Sequence, residues 1–127
     1  MNTEKLCPAG WHVPGDAEWI TLTENLGDEA EIIGHLRETG KAHWVIEAQE
    51  DNSTGFTALP GGLRSWNDNK YFRGMGYEAA FWSSTADPFD AEDFSISRKL
   101  ICHPDSVRFI YEVLNKKTGL SVRCVQD

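Results

Sequence analysis

The sequence predicts an α+β fold in which two amino-terminal helices pack on a mostly antiparallel β core. Two observations lead there. Apolar residues recur at helical spacing in the first third of the chain, and from Phe56 onward the period becomes alternating, with turn residues at short intervals. Helices followed by a run of strands belong to α+β architecture, because a parallel sheet would interleave the two.

The elements follow in order. After Pro14-Gly15, Asp16 is placed to cap a first helix over residues 17–26, where Trp19, Leu22 and Leu26 share a face and Gly27 stops the run. A second helix carries Ile32, Ile33 and Leu36 after Asp28-Glu29, with Gly40 as its terminator. Residues 47–53 are polar and acidic and read as a surface loop. Pro60-Gly61-Gly62, Asp68-Asn69, Gly74-Met75-Gly76, Asp87-Pro88 and Lys117-Thr118-Gly119 then punctuate the β half. Phe94, Ile96, Arg98 and Leu100 alternate with Asp93, Ser95, Ser97 and Lys99. Val107, Phe109, Tyr111 and Val113 do the same before a turn into Leu120, Val122 and Cys124, and these last two segments are expected to form a hairpin.

At 127 residues, 40% hydrophobic, the chain suits one domain, 1–127, and five Trp, six Phe and three Tyr supply a substantial core. Twenty acidic against twelve basic side chains give a charge of −8, which repels phosphate backbones and anionic lipid and argues against nucleic-acid or membrane-surface partners. No apolar run approaches the roughly 20 residues of a membrane span, so insertion by this domain is not expected. Met1-Asn2-Thr3-Glu4-Lys5 is too short and polar for a signal peptide, so an exported protein would require a removed signal or an excised domain.

Three cysteines leave one without an internal partner. If Cys7 pairs with Cys124, nearly the whole chain lies inside one loop, worth roughly 4 to 5 kcal/mol in the chain-entropy treatment, and the domain belongs outside a reducing cytosol. Cys102, in Leu100-Ile101-Cys102-His103-Pro104, is then the one left over: either a small buried hydrophobe or a reactive thiol beside His103.

Six blocks carry a family likeness: Cys7-Pro8-Ala9-Gly10-Trp11-His12-Val13-Pro14, Glu18-Trp19, Leu36-Arg37-Glu38-Thr39-Gly40, Gly55-Phe56-Thr57-Ala58-Leu59-Pro60-Gly61-Gly62, Phe81-Trp82-Ser83-Ser84-Thr85 and Gly119-Leu120-Ser121-Val122-Arg123-Cys124. In these the chain resembles the Fibrobacter succinogenes major paralogous domain, common in exported proteins and lipoproteins of Bacteroidetes-like bacteria, over residues 7–125. The resemblance implies export, an architecture related to the C-type lectin-like fold and to formylglycine-generating enzymes, and termini joined by a disulfide. It brings no settled activity. Trp11, Trp19 and Trp82 fall in these blocks and are expected in the core, while residues 65–76 and 86–104 are expected to form variable loops that carry ligand choice.

Trp66-Asn67-Asp68 spells a tripeptide that C-type lectins use near a sugar-binding calcium, but here it lies far ahead of Cys124 with no acidic-Pro-Asn segment before it, and a polar turn explains it as well. With Arg64 and Tyr71 it makes the candidate ligand site, Arg64, Trp66, Asn67, Asp68 and Tyr71: aromatic rings, Phe72 among them, stack on sugar faces while the polar groups bind hydroxyls. Asp87, Asp90, Glu92 and Asp93 are the calcium candidates, without the spacing of an EF-hand, and otherwise a solvated loop. His12, His35, His43 and His103 show no zinc spacing, and His12 reads as a hydrogen-bonder of a turn or the core. Ser83-Ser84-Thr85 lacks the glycines of a nucleophile elbow, no carboxylate pair marks a glycosidase, and an oxidase would need two thiols at one site. The expectation is an exported, non-catalytic binding module at the cell surface, with carbohydrate as the favoured ligand and no cofactor other than calcium. The alternative is an adhesive module of a surface lipoprotein that contacts protein; an enzyme of the formylglycine-generating kind stands third.

Overall fold

The structure is a computed structural model and describes residues 6–67, 69 and 71–127. Among these, the chain forms two helices, α1 (Asp16–Thr23) and α2 (Glu29–Leu36), and seven strands, β1 (Trp11–His12), β2 (Leu63–Arg64), β3 (Phe72–Arg73), β4 (Glu78–Ala86), β5 (Phe94–His103), β6 (Ser106–Asn115) and β7 (Val125–Gln126). All strand pairs are antiparallel: β4-β5-β6 make the central sheet, and β1 pairs with β7 and β2 with β3. The α+β expectation holds.

Both helices lie close to their expected places, with different ends. Asp16 does not cap α1. Gly15 precedes the helix, and its N–H donates to Glu18 Oε2 at 2.8 Å, while the Asp16 carboxylate accepts from Arg98 Nε on β5 at 3.0 Å. The helix ends at Thr23 instead of Leu26, in a turn where the hydroxyls of Thr21 and Thr23 donate to the Ala17 and Trp19 carbonyls, a local bonding that weakens helix continuation. α2 begins as the sequence suggests: Asp28 Oδ1 accepts from the N–H groups of Ala30 and Glu31, and Glu31 returns a carboxylate oxygen to the Asp28 N–H. It stops at Leu36, short of Gly40, because Arg37 turns extended and bridges to Ala58.

The expected hairpin is also re-partnered. β6 pairs with β5, residue for residue from Phe94↔Asn115 to His103↔Ser106, across a turn at Pro104-Asp105. Leu120, Val122 and Cys124 do not form its second strand; Ser121 instead bridges to Phe81, and the chain returns to β1 through β7. Two uninterrupted ten-residue alternating runs separated by a tight turn out-compete the shorter segment after Gly119. β5 is therefore a central strand covered on both faces, which is why its polar alternates are buried: the Ser97 hydroxyl donates to the Glu112 carbonyl at 2.9 Å, and Lys99 Nζ meets Glu112 Oε2 at 2.7 Å.

The helices cover one face of the sheet. There Trp19, Ile33, Leu36, Trp44, Ala58, Ala79, Phe81, Leu100 and Cys102 form the core, with Trp19, Phe56 and Phe81 mutually 5.4 to 5.8 Å apart. Each large apolar side chain buried here contributes on the order of 1.5–3 kcal/mol. Trp19 and Trp82 are buried as expected, whereas Trp11 is half-exposed on the terminal strand β1. Arg37 is fully buried: its guanidinium lies over the Trp44 ring at 4.5 Å, donates to the Ile46 carbonyl at 3.1 Å and reaches Cys102 Sγ at 3.6 Å. Burial raises the Cys102 thiol pKa despite that neighbouring cation, and the His103 ring is occupied elsewhere, stacked on Tyr77 and 3.2 Å from Glu78 Oε1. Cys102 is the buried hydrophobe of the two readings.

Cys7 and Cys124 form the disulfide, their Cα atoms 5.8 Å apart. The same seam is held by β1–β7 pairing and by His12, whose two ring nitrogens lie 2.6 Å from Asp127 and 2.8 Å from Glu18. Among the described residues no helix is long and apolar enough to cross a membrane.

Candidate functional site

The second face of the sheet is covered by the short β2–β3 ribbon, and between them lies a recess of about 290 Å³. The pleat decides what lines it. Leu63 pairs with Arg73 and Arg64 with Phe72, so Leu63, Ser65, Tyr71 and Arg73 face one side of the ribbon and Arg64 and Phe72 the other. Leu114 of β6 and Thr118 of the following turn complete the floor, with Trp66 and Asn67 at the ribbon's end.

The backbone holds this ribbon at several points. Gly62 N–H donates to the Glu78 carbonyl at 2.8 Å; Arg64 and Gly119 exchange two bonds, of 2.8 and 2.9 Å; and Ser65 N–H donates to the Tyr71 carbonyl at 2.9 Å. Gly62 sits at φ +66, and a Cβ there would lie 2.2 Å from the Arg73 carbonyl oxygen, so glycine is required for the ribbon to close on the sheet.

Within the recess, the Ser65 hydroxyl donates to Asn67 Oδ1 at 2.7 Å. The Thr118 side chain is 6% exposed, and its hydroxyl has no hydrogen-bond partner. Trp66 and Tyr71 stand half-exposed at the mouth, 41% and 47%. Two aromatic residues, the Ser65 hydroxyl, a side-chain amide and an arginine thus line one concavity, which suits a flat ligand with hydroxyls at its rim.

Of the five candidate ligand residues, the fold brings Trp66, Asn67 and Tyr71 together. Arg64 is turned to the opposite side by the alternation, against Gly119, and Asp68 lies outside the described residues. Ser65, Arg73 and Thr118 were not singled out from the sequence. The period of two between Tyr71 and Arg73 was a readable signal, but Thr118 arrives from a turn some fifty positions away and had none.

The acidic loop before β5 works on itself. Asp87 Oδ2 accepts from the Asp90 N–H at 3.0 Å, Asp90 Oδ1 from the Asp93 N–H at 3.2 Å, and Lys116 Nζ donates to the Ala91 carbonyl at 2.6 Å. Among the described residues no three His, Cys, Asp or Glu side chains are grouped so as to hold a metal. Ser83-Ser84-Thr85 forms the irregularity in β4, and Thr85 Oγ1 accepts from the Asp16 N–H at 2.9 Å, so the hydroxyls of this block brace α1. A wider groove of about 800 Å³ runs along α2, where His35 meets Asp51 at 2.9 Å and Glu47 meets Lys41, while Glu50 Oε2 is buried without a partner; no Trp, Tyr or Phe lines it among the described residues. A third, apolar cleft beside Trp19 and Phe56 has Glu18 and Arg123 as its charged groups, both bonded within the chain, and the Trp19 indole N–H is buried.

In comparisons with known proteins, the sequence model of the Fibrobacter succinogenes major domain matches residues 1–126. No curated protein and no solved structure matches the chain.

Proposed function

Because this chain belongs to the Fibrobacter succinogenes major domain family, with its termini closed by a disulfide, we propose that it is an exported, non-catalytic binding module of C-type lectin-like architecture that takes a saccharide at the cell surface. The observation that carries the reading is the convergence of Trp66 and Tyr71 with Ser65 and Asn67 in one recess on a braced sheet. Two helices over an antiparallel sheet with joined ends support the architecture, and a disulfide suits an oxidising compartment. For a binding rather than an oxidase role, support comes from the thiols: two cysteines are bridged and the third is buried.

The test is a glycan-binding screen of the oxidised chain, in calcium and in chelator, beside Trp66→Ala and Tyr71→Ala. Selective binding that both substitutions weaken roughly tenfold or more is expected, since a stacked ring is worth about 0.5–1.5 kcal/mol beyond its area. Binding unchanged by either would remove the recess as the site.

A second reading, a protein-contact module of a surface lipoprotein, is favoured by one observation: Phe72, Met75 and Phe89 stand 79%, 80% and 96% exposed. It predicts a protein partner lost with Phe72→Ser and no glycan selectivity.

A further inference from the structure

We infer that the saccharide taken by this recess bears a carboxylate, and that Arg73 selects it; this rests on the recess being the binding site. The chain carries twenty acidic side chains, yet no Asp or Glu lines the recess among the described residues. Among the described residues its one charged lining residue is Arg73, which the pleat of β3 sets on the same side as Tyr71. Of the other described arginines, Arg98 is engaged with Asp16 and Arg108 with Glu29, while Arg64, likewise without an ion pair to a described residue, lies on the opposite side of the ribbon. Arg37 and Arg123 are held by the carbonyls of Ile46 and Phe56. Arg73 makes no ion pair with any described residue, and its guanidinium is a planar fork of donors. That geometry matches a carboxylate, which accepts two parallel N–H bonds.

The neutral groups point the same way. Asn67 Oδ1 is taken by the Ser65 hydroxyl, so the amide N–H groups remain to donate. A recess rich in donors, walled by one cation and two rings, fits a ring-shaped ligand rich in acceptors, as a uronic-acid residue is. A free hexose would use the rings and the amide but leave the guanidinium without a counter-charge.

The experiment compares three probes by titration on the oxidised chain: a uronic-acid oligosaccharide, its methyl ester and the corresponding neutral hexose oligomer. Esterification removes the charge and leaves the sugar faces. The acid should bind at least about tenfold more tightly than the ester, the scale of one charge-assisted hydrogen bond. Arg73→Gln should abolish the preference for the acid over the ester, while Trp66→Ala weakens all probes. Both side chains are on the surface, and an unchanged melting curve verifies the fold of each variant. Equal affinity for acid and ester, or a preference that survives Arg73→Gln, would overturn the carboxylate assignment while leaving the recess standing if Trp66→Ala still weakens binding. A sulfated hexose oligomer that binds as tightly as the uronate would also overturn it. If no probe binds, or Trp66→Ala changes nothing, the recess reading itself fails and this inference with it.

Discussion

Replacing Cys7 and Cys124 together with serine opens a loop whose ends are 117 positions apart. In the chain-entropy treatment that loop is worth about 4.9 kcal/mol at room temperature. The folded state loses little else. β1 and β7 still pair through Trp11↔Gln126 and His12↔Val125, and the Asp127 N–H still donates to the Gly10 carbonyl at 3.0 Å. The cost therefore falls on the unfolded ensemble, which gains freedom and exposes more surface. Urea denaturation should show a loss of about 3–5 kcal/mol together with a larger dependence on urea, because the open chain unfolds further than the cross-linked one. Such a loss is a large share of the 5–15 kcal/mol typical of a domain. Thiol labelling provides the companion readout: the oxidised native chain should label at no cysteine, and the unfolded chain without reductant at Cys102 alone. A loss below about 1 kcal/mol with an unchanged urea dependence would refute the argument, since the unfolded chain would then hold its ends together without the bridge.

Two further outcomes are expected. Hydrogen bonds donated by the ring to Asp127 and Glu18 raise the His12 pKa above its usual 6.5, so folding favours the protonated ring; that contribution is complete below about pH 6.5 and is lost as pH rises through the raised value. Glu18 is lowered from its usual 4.5 by the Gly15 N–H and then by His12, so its contribution is present above that value and lost as pH falls through the lowered one. The terminal seam should be most stable between the two, and His12→Gln should flatten the alkaline decline in a series of thermal melts; a decline of undiminished slope would show that other groups cause it. At the ribbon, Gly62→Ala and Gly10→Ala both place a side chain at positive φ, at a cost of about 1–2 kcal/mol. Only the Gly62 variant drives a Cβ against the Arg73 carbonyl, so it should cost clearly more by urea midpoint and weaken ligand binding, whereas nothing lies within 4 Å of a Cβ at Gly10. Equal costs would mean that β3 yields freely.

Much of the fold was legible because it is written locally. Asp28 with Glu31 announces a helix start, and Trp19 and Leu36 mark buried faces through a period that survives whatever the helices touch. The disulfide between Cys7 and Cys124 was legible through the family resemblance of the two end blocks that hold them. The partner of a strand is a different kind of information. Val107 to Val113 alternates equally well beside Leu120 to Cys124 or beside β5, and the choice depended on the longer register and on what else needed the terminal segment. Asp16 looked like a cap because its neighbours in sequence suited one; Arg98, eighty-two positions away, claimed the carboxylate.

The candidate site shows the same division. That Trp66 and Tyr71 are neighbours at a ligand-sized spacing can be read along the chain, as can the alternation that joins Tyr71 to Arg73. That Thr118 closes the recess, that Arg64 faces away from it and that Arg37 is buried against Trp44 cannot, since each depends on contacts between segments distant in sequence. By itself, the sequence determined helix and strand character and the family, because propensity, periodicity and motif act within short windows. Only the tertiary structure decided which polar groups were left without partners and which concavity they face, because satisfaction of a donor or a charge is settled by its neighbours in space.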